Sequence, residues 1–178
     1  MKIGVMCSGN GTNFENIVTS CPEIDVVLMV YNKEDCGAAK KANKLGIPSC
    51  YIKSKDEEFI IRYFKALEVD YVVLAGWMRI LSSKFIETFP DKIINIHPSL
   101  LPKYKGLNPI QRALDNGDDV TGCTVHMVTE ELDSGKILMK EEVIIHPYDT
   151  LKTLTMAVHQ AEHRILPEVL RNLNIGSE

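Results

Sequence analysis

With 178 residues, 45% of them hydrophobic and 25% charged, the chain has the size and composition of one ordinary soluble globular domain with a proper core. Its formal net charge of -4 argues against a nucleic-acid surface or an anionic membrane as partner, since such binders concentrate Lys and Arg to neutralise phosphates. The apolar start Met1-Lys2-Ile3-Gly4-Val5-Met6-Cys7 is too short for a signal peptide, and no run approaches the roughly 18 apolar residues of a membrane span. The five cysteines are scattered without a C-x-x-C pair, which predicts small reduced core residues in a cytoplasmic protein.

Taken in chain order, the apolar periodicities alternate between strand and helix. A strand is predicted over 2–7, then a Gly-rich turn, a helix over 13–20 and a strand over 25–30. The helix over 37–45 stops at Gly46 with Pro48 just beyond, and 50–52 reads as a short edge-type strand. Over 56–68, Phe59, Ile60, Tyr63, Phe64 and Leu67 fall on one helical face, and 71–75 is a continuous apolar strand of the kind buried between two helical layers. Ser82 caps the next helix, and Ile93-Ile94-Asn95-Ile96-His97 reads as a short buried strand that ends at Pro98. A helix over 108–116 closes near Gly117, 123–128 and 136–145 read as longer, mostly antiparallel strands, and 150–173 is the closing helix. This alternation predicts an α/β fold: a doubly wound, mostly parallel, Rossmann-like sheet with right-handed crossovers, an antiparallel C-terminal extension and a long closing helix. No repeat, linker or low-complexity stretch divides the chain, so residues 1–178 are expected to form a single domain.

Chemistry concentrates at Asn95 and His97. Two apart on a strand, they point to the same side, at a strand end of the kind where open α/β sheets bind ligands. A histidine used in catalysis needs an acid to fix its tautomer and hold its charge, and Leu132-Asp133-Ser134-Gly135 offers Asp133. Amide, imidazole and carboxylate together suggest acyl-group chemistry. A lone histidine at a strand end is more often a hydrogen-bonded structural residue, but Asn95 interrupts an apolar strand, and an unpaired buried amide costs roughly 1–3 kcal/mol.

Ser8-Gly9-Asn10-Gly11-Thr12-Asn13 joins the first strand to the first helix, where small residues let backbone N–H groups approach an anion and the helix N-terminus adds its positive end. A dinucleotide fingerprint would continue with Gly or Ala where Phe14 stands and with an acid where Asn32 ends the second strand, so a monophosphate is favoured over NAD. The alternative is a plain tight turn with Thr12 or Asn13 capping the helix. At a further strand end, Leu74-Ala75-Gly76-Trp77-Met78-Arg79-Ile80-Leu81 forms an apolar loop that either seals the sheet or packs a flat heterocycle. In the second case backbone groups from Arg79 to Leu81 pair with a pterin edge and Ile80 and Leu81 cover its face. His159-Gln160-Ala161-Glu162-His163 fits the H-x-x-E-H zinc-peptidase pattern. Zinc catalysis needs a third protein ligand and a water, and Glu168 is the one nearby downstream carboxylate, so a helix face lining a phosphosugar pocket, or simply solvated, is favoured over metal.

Over essentially its whole length the sequence closely resembles the phosphoribosylglycinamide formyltransferase family, folate-dependent enzymes of purine synthesis. The resemblance is carried by Gly9-Asn10-Gly11-Thr12-Asn13, by Val73-Leu74-Ala75-Gly76 with Met78-Arg79-Ile80-Leu81, by residues 95–104, and by Val125-His126 through Glu131-Leu132-Asp133-Ser134-Gly135. It implies Asn95, His97 and Asp133 as catalytic residues and Gly11, Thr12 and Asn13 as the phosphate cradle. It further implies substrate contacts from Gly76, Met78, Pro98, His159 and Glu162, the last on the ribose hydroxyls. Folate would be held by Met78, Arg79, Ile80, Leu81, Asn95, Val128, Thr129, Glu130, Glu131 and Asp133, so the phosphate site falls in the N-terminal half and the folate and catalytic site largely in the C-terminal half. The implied reaction carries a formyl group from 10-formyltetrahydrofolate, the cosubstrate, to the amine of glycinamide ribonucleotide without a metal; the implied partners are these small molecules, and a homodimer is left open. Two features depart from the family: His159 stands where many relatives carry Gln, and Gly106-Leu107-Asn108-Pro109-Ile110-Gln111-Arg112-Ala113 is similar to methionyl-tRNA formyltransferases. That relative carries a further C-terminal RNA-binding domain, and formyltetrahydrofolate deformylases an extra N-terminal regulatory one; neither is expected on this acidic chain. A methionyl-tRNA or amino-sugar formyltransferase, and more remotely the zinc peptidase, are the alternatives.

Overall fold

The computed structural model describes residues 1–53 and 55–176. Its elements are β1 (Lys2–Cys7), α1 (Thr12–Ser20), β2 (Asp25–Tyr31), α2 (Gly37–Leu45), β3 (Ser49–Tyr51), α3 (Glu57–Ala66), β4 (Tyr71–Leu74), α4 (Ser83–Thr88), β5 (Ile93–His97), α5 (Pro109–Asp115), β6 (Val120–Met127), β7 (Ile137–Ile144) and α6 (Leu151–Ile175). Among the described residues the strands form one seven-stranded sheet in the order β3-β2-β1-β4-β5-β6-β7. The pairs from β3 to β5 are parallel, and β6 and β7 add to the β5 edge as an antiparallel hairpin. The expected fold class is the observed one. Strand order reverses between β1 and β4, and a crevice at the carboxyl ends of such neighbours is where open α/β sheets take ligands.

Strand alternation divides the core into two layers. Ile3, Val5, Cys7, Ile94 and Ile96 pack with Phe14 and Ile17 of α1 and Leu154, Val158 and Ile165 of α6. Met6, Val72, Leu74 and Ile93 pack with Ile60, Ile61 and Phe64 of α3 and Phe85 of α4. With both faces covered, the central strands read as unbroken apolar runs. Local signals set the ends of the helices. Gly46 closes α2 in the left-handed region at φ 69°, Ser82 Oγ accepts the Phe85 N–H at the start of α4, and Thr150 with Thr153 forms a reciprocal cap at the start of α6.

Two details differ from the sequence reading. On α3 the inward face is Ile60, Ile61 and Phe64, whereas Phe59 and Tyr63 stand outside, 38% and 42% exposed, edge to face with each other. At about 100° per residue, the wide apolar arc cannot all face the sheet, and its outer pair covers itself instead. Strand β6 begins at Val120 rather than 123, because Gly122 brings the backbone against β7: a Cβ there would lie 2.0 Å from the Glu141 carbonyl oxygen. As the helix expected over 150–173 requires, α6 runs through Pro167. Pro167 has no N–H for the His163 carbonyl, and the Asn16 amide donates to that oxygen at 2.7 Å, which fastens α1 to α6 while satisfying the helix. No helix among the described residues is long and apolar enough to cross a membrane.

Candidate active site

Asn95 and His97 leave β5 on the same face as Ile93, at the strand's carboxyl end, as the alternation requires. His97 is 7% exposed, and its surroundings are polar. Its Nε2 lies 2.9 Å from the Tyr104 carbonyl, which can only accept, so Nε2 carries a proton and Nδ1 is turned to the site. There Nδ1 meets Asp133 Oδ2 at 3.6 Å, with both side chains buried. Asp133 sits in the left-handed region at φ 49°, and its Oδ2 accepts the Gly106 N–H at 2.8 Å, so the loop after β5 fixes the carboxylate. Its other oxygen lies 3.7 Å from His126 Nε2, and that nitrogen is 3.2 Å from Asn95 Nδ2. The predicted trio is thus brought together, with His126 as a fourth member between Asn95 and Asp133. The carboxylate contacts are longer than hydrogen bonds, a spacing common in ligand-free sites that tighten around substrate.

His126 does not stand out in the sequence beyond its place in the Val125-His126 stretch. The available signal is a histidine within the buried run of β6, where burial leaves it 2% exposed and lowers its pKa from 6.5. Tyr104 is a second missed member: it acts through its carbonyl, which no side-chain pattern reveals.

The turn after β1 takes the form of an anion site. Gly11 at φ 71° is the N-cap of α1 and supplies no side-chain cap, so Thr12 and Asn13 open the helix rather than cap it, and its first N–H groups have no side-chain acceptor among the described residues. A Cβ at Gly11 would lie 2.7 Å from Ala38, which makes glycine obligatory in that close approach. Asn13 Nδ2 donates to Glu162 Oε2 at 2.9 Å, and Asn13 Oδ1 is buried without a partner among the described residues. Burial pushes the Glu162 carboxyl above its ordinary value, opposed by the Asn13 amide and by His159. Glu162 is 5% exposed and turned inward, whereas His159 and Thr12 lie further out.

The turn is tied to the loop after β4 across the strand-order reversal: the Ser8 N–H donates to the Gly76 carbonyl, and the Met78 N–H to Ser8 Oγ, both at 2.9 Å. Beyond this clasp Met78 and Ile80 are 67% and 79% exposed while Leu81 is buried. An apolar surface that the core does not use is what a flat ligand needs. A cavity of about 470 Å³ beside this loop is lined by Lys55, Asp56, Glu57, Ile60, Trp77, Met78, Arg79 and Ile80, and not by the Asn95, His97 and Asp133 trio. Pro98 follows His97 half-buried, and Val128 donates its N–H to the Ile93 carbonyl at 2.8 Å. Thr129, Glu130 and Glu131 are exposed on the way to Asp133, with Glu131 3.9 Å from Lys105 Nζ.

The sequence profile of the Formyl transferase family matches residues 1–170. The chain belongs to this family. A phosphoribosylglycinamide formyltransferase of Haemophilus influenzae is 39% identical over 181 residues, 96% of this chain and 85% of that protein. One of Bacillus subtilis is 36% identical over 183 residues, 97% of this chain and 94% of that protein. The trifunctional purine biosynthetic protein adenosine-3 of Gallus gallus is 39% identical over 188 residues, and there the chain spans only 19% of the longer protein. The crystal structure of phosphoribosylglycinamide formyltransferase from Anaplasma phagocytophilum superposes with a TM-score of 0.93 at 37% identity, covering 96% of this chain and 85% of that one.

Proposed function

We propose that this chain transfers a formyl group from 10-formyltetrahydrofolate to the primary amine of glycinamide ribonucleotide, a step of purine synthesis. The observation that carries the reading is the convergence of Asn95, His97 and Asp133 beside an uncapped helix N-terminus facing Glu162. The likeness to phosphoribosylglycinamide formyltransferases over 96% of the chain supports the same substrates.

In this reading the backbone of Gly11, Thr12 and Asn13 takes the phosphate, and Glu162 with His159 takes the ribose hydroxyls. Gly76, Met78 and Pro98 line the path to the amine. The pterin lies on the backbone of Arg79, Ile80 and Leu81, with Val128, Thr129, Glu130 and Glu131 on its other side. Attack of the neutral amine on the formyl carbon places negative charge on the formyl oxygen, and the Asn95 amide with His97 supplies donors for that charge. Asp133 is the counter-charge for a proton on His97 Nδ1 and a station for the proton the amine loses. Collapse then breaks the bond from the formyl carbon to the folate nitrogen, which takes up a proton as it leaves. The five free cysteines support a reducing, cytoplasmic setting.

The test is to mix the protein with both substrates at pH 7–8 and follow the folate absorbance change. Turnover is expected, with kcat lower by about 10²–10³ in His97→Ala, the usual cost of losing one such donor. No transfer by folded protein, or transfer only to a formyl acceptor on tRNA or an amino sugar, overturns the assignment.

A further inference from the structure

Asn95 stands directly opposite His126 in the β5–β6 register, so both side chains leave the sheet on one face. His126 Nδ1 lies 3.0 Å from the Met127 carbonyl, which can only accept, so the proton of the ring sits on Nδ1. In a neutral ring Nε2 is then a lone-pair acceptor, and the Asn95 atom 3.2 Å away must be the amide nitrogen rather than the oxygen. Two charged or titratable groups face this ring: Asp133 from the loop before β7, 3.7 Å from Nε2, and His97 from β5. Burial outweighs the pull of Asp133 and the Met127 carbonyl and keeps the ring toward its neutral form.

This arrangement decides what Asn95 presents to the reaction. One N–H of its amide is used on His126. The second belongs to the same nitrogen, on the face of the sheet that Asn95 shares with His97. With the amide turned over, its oxygen would stand there instead, facing the His126 lone pair and repelling the charge that grows on the formyl oxygen.

We propose that His126 is a positioning residue for formyl transfer: protonated on Nδ1 alone, it locks the Asn95 amide so that one N–H remains aimed at the reacting oxygen. The proposal rests on the formyl-transfer reading of the site. It gives His126 no contact with substrate, so its whole effect passes through Asn95.

The direct test is long-range proton–nitrogen NMR on protein labelled with 15N-histidine at pH 7.5, the His126 signals being those missing from His126→Gln. A ring protonated on Nδ1 with bare Nε2 is expected; the opposite tautomer or a doubly protonated ring overturns the proposal. A double-mutant cycle gives the kinetic test. Asn95→Ala and His126→Ala are each expected to lower kcat by about 10²-fold, and the double variant no further, because residues acting as a unit are non-additive. Losses that multiply in the double variant are the mark of a merely structural role and overturn it. His126→Gln, with one acceptor for Asn95 and one donor for Met127, is expected to recover most of the loss while His126→Ala does not. Absence of transfer in the unsubstituted chain removes the functional reading and this proposal together, whereas transfer with the wrong tautomer removes this proposal alone.

Discussion

Glu162 shows how a single residue links stability to substrate. It is a carboxyl 5% exposed whose pKa burial raises above 4.5, and its described hydrogen bond comes from the Asn13 amide. An acid with a raised folded-state pKa binds a proton more readily folded than unfolded. Its stabilising contribution is therefore complete below the ordinary value of 4.5 and is lost as pH rises through the folded value. Burial therefore works against ionisation in the ligand-free chain, and hydroxyl donors on a ligand would favour the charged form. Glu162→Gln keeps an acceptor for Asn13 and removes the charge. It is expected to raise stability at pH 8 by on the order of 1 kcal/mol, or about 2–4 °C for a chain of this size, with no gain near pH 4. Hydrogen bonds to charged groups are worth about 1.5–3 kcal/mol, so KM for the phosphoribosyl substrate should rise roughly tenfold to a hundredfold. Melting curves at the two pH values, with kinetics, check both; a lower melting temperature at pH 8 refutes the account.

At the scale of elements, the hairpin that ends in β7 carries Asp133 into place, and Gly135 makes its entry possible. A Cβ at Gly135 would lie 1.7 Å from the Met127 carbonyl oxygen, the same oxygen that receives the His126 Nδ1 proton. Gly135→Ala must therefore push the start of β7 off β6 and displace Asp133 and His126 together. Overpacking of this kind costs about 1–3 kcal/mol, and a displacement of about 1 Å at the chemistry costs around 10²-fold in rate. Urea denaturation and kcat measure the two, and an active, equally stable variant contradicts the argument. The Leu132-Asp133-Ser134-Gly135 motif was readable in the sequence because it is local, as were the strand end at Asn95 and His97 and the Gly-rich turn, each written by alternation or by a missing side chain. What was not readable depends on pairing across the fold. His126 gains its role only from lying opposite Asn95, 31 residues away along the chain. The closing helix was readable, but not what lets it pass Pro167: Asn16, on another helix, satisfies the carbonyl that the proline leaves free. Phe59 and Tyr63 match the helical period of the core but lie beyond the arc that the sheet can cover.

Across the whole molecule, the groups assigned to one substrate come from both ends of the chain: Asn13 and Glu162 meet across 149 residues, and the Ser8 clasp joins the loops after β1 and β4 across 70. A ligand held by all of them binds only the folded state, so it stabilises the fold by mass action. At one hundred times its Kd the gain is about 2.7 kcal/mol, or roughly 5–10 °C in Tm for a chain of this length. The phosphoribosyl substrate alone should produce such a shift, and a reduced-folate analogue an independent one. Gly11→Ala separates the two sites. It forces φ 71° on a residue with a Cβ and drives that carbon to 2.7 Å from Ala38, at the start of α2. The left-handed conformation alone costs about 1–2 kcal/mol, so the variant should melt several degrees lower without ligand. Its shift with the phosphoribosyl substrate should largely vanish, because the N-terminal N–H groups of α1 no longer converge on one point, while the folate shift persists. A Gly11→Ala chain that keeps the full phosphoribosyl shift places the phosphate elsewhere and removes the role given to the turn after β1.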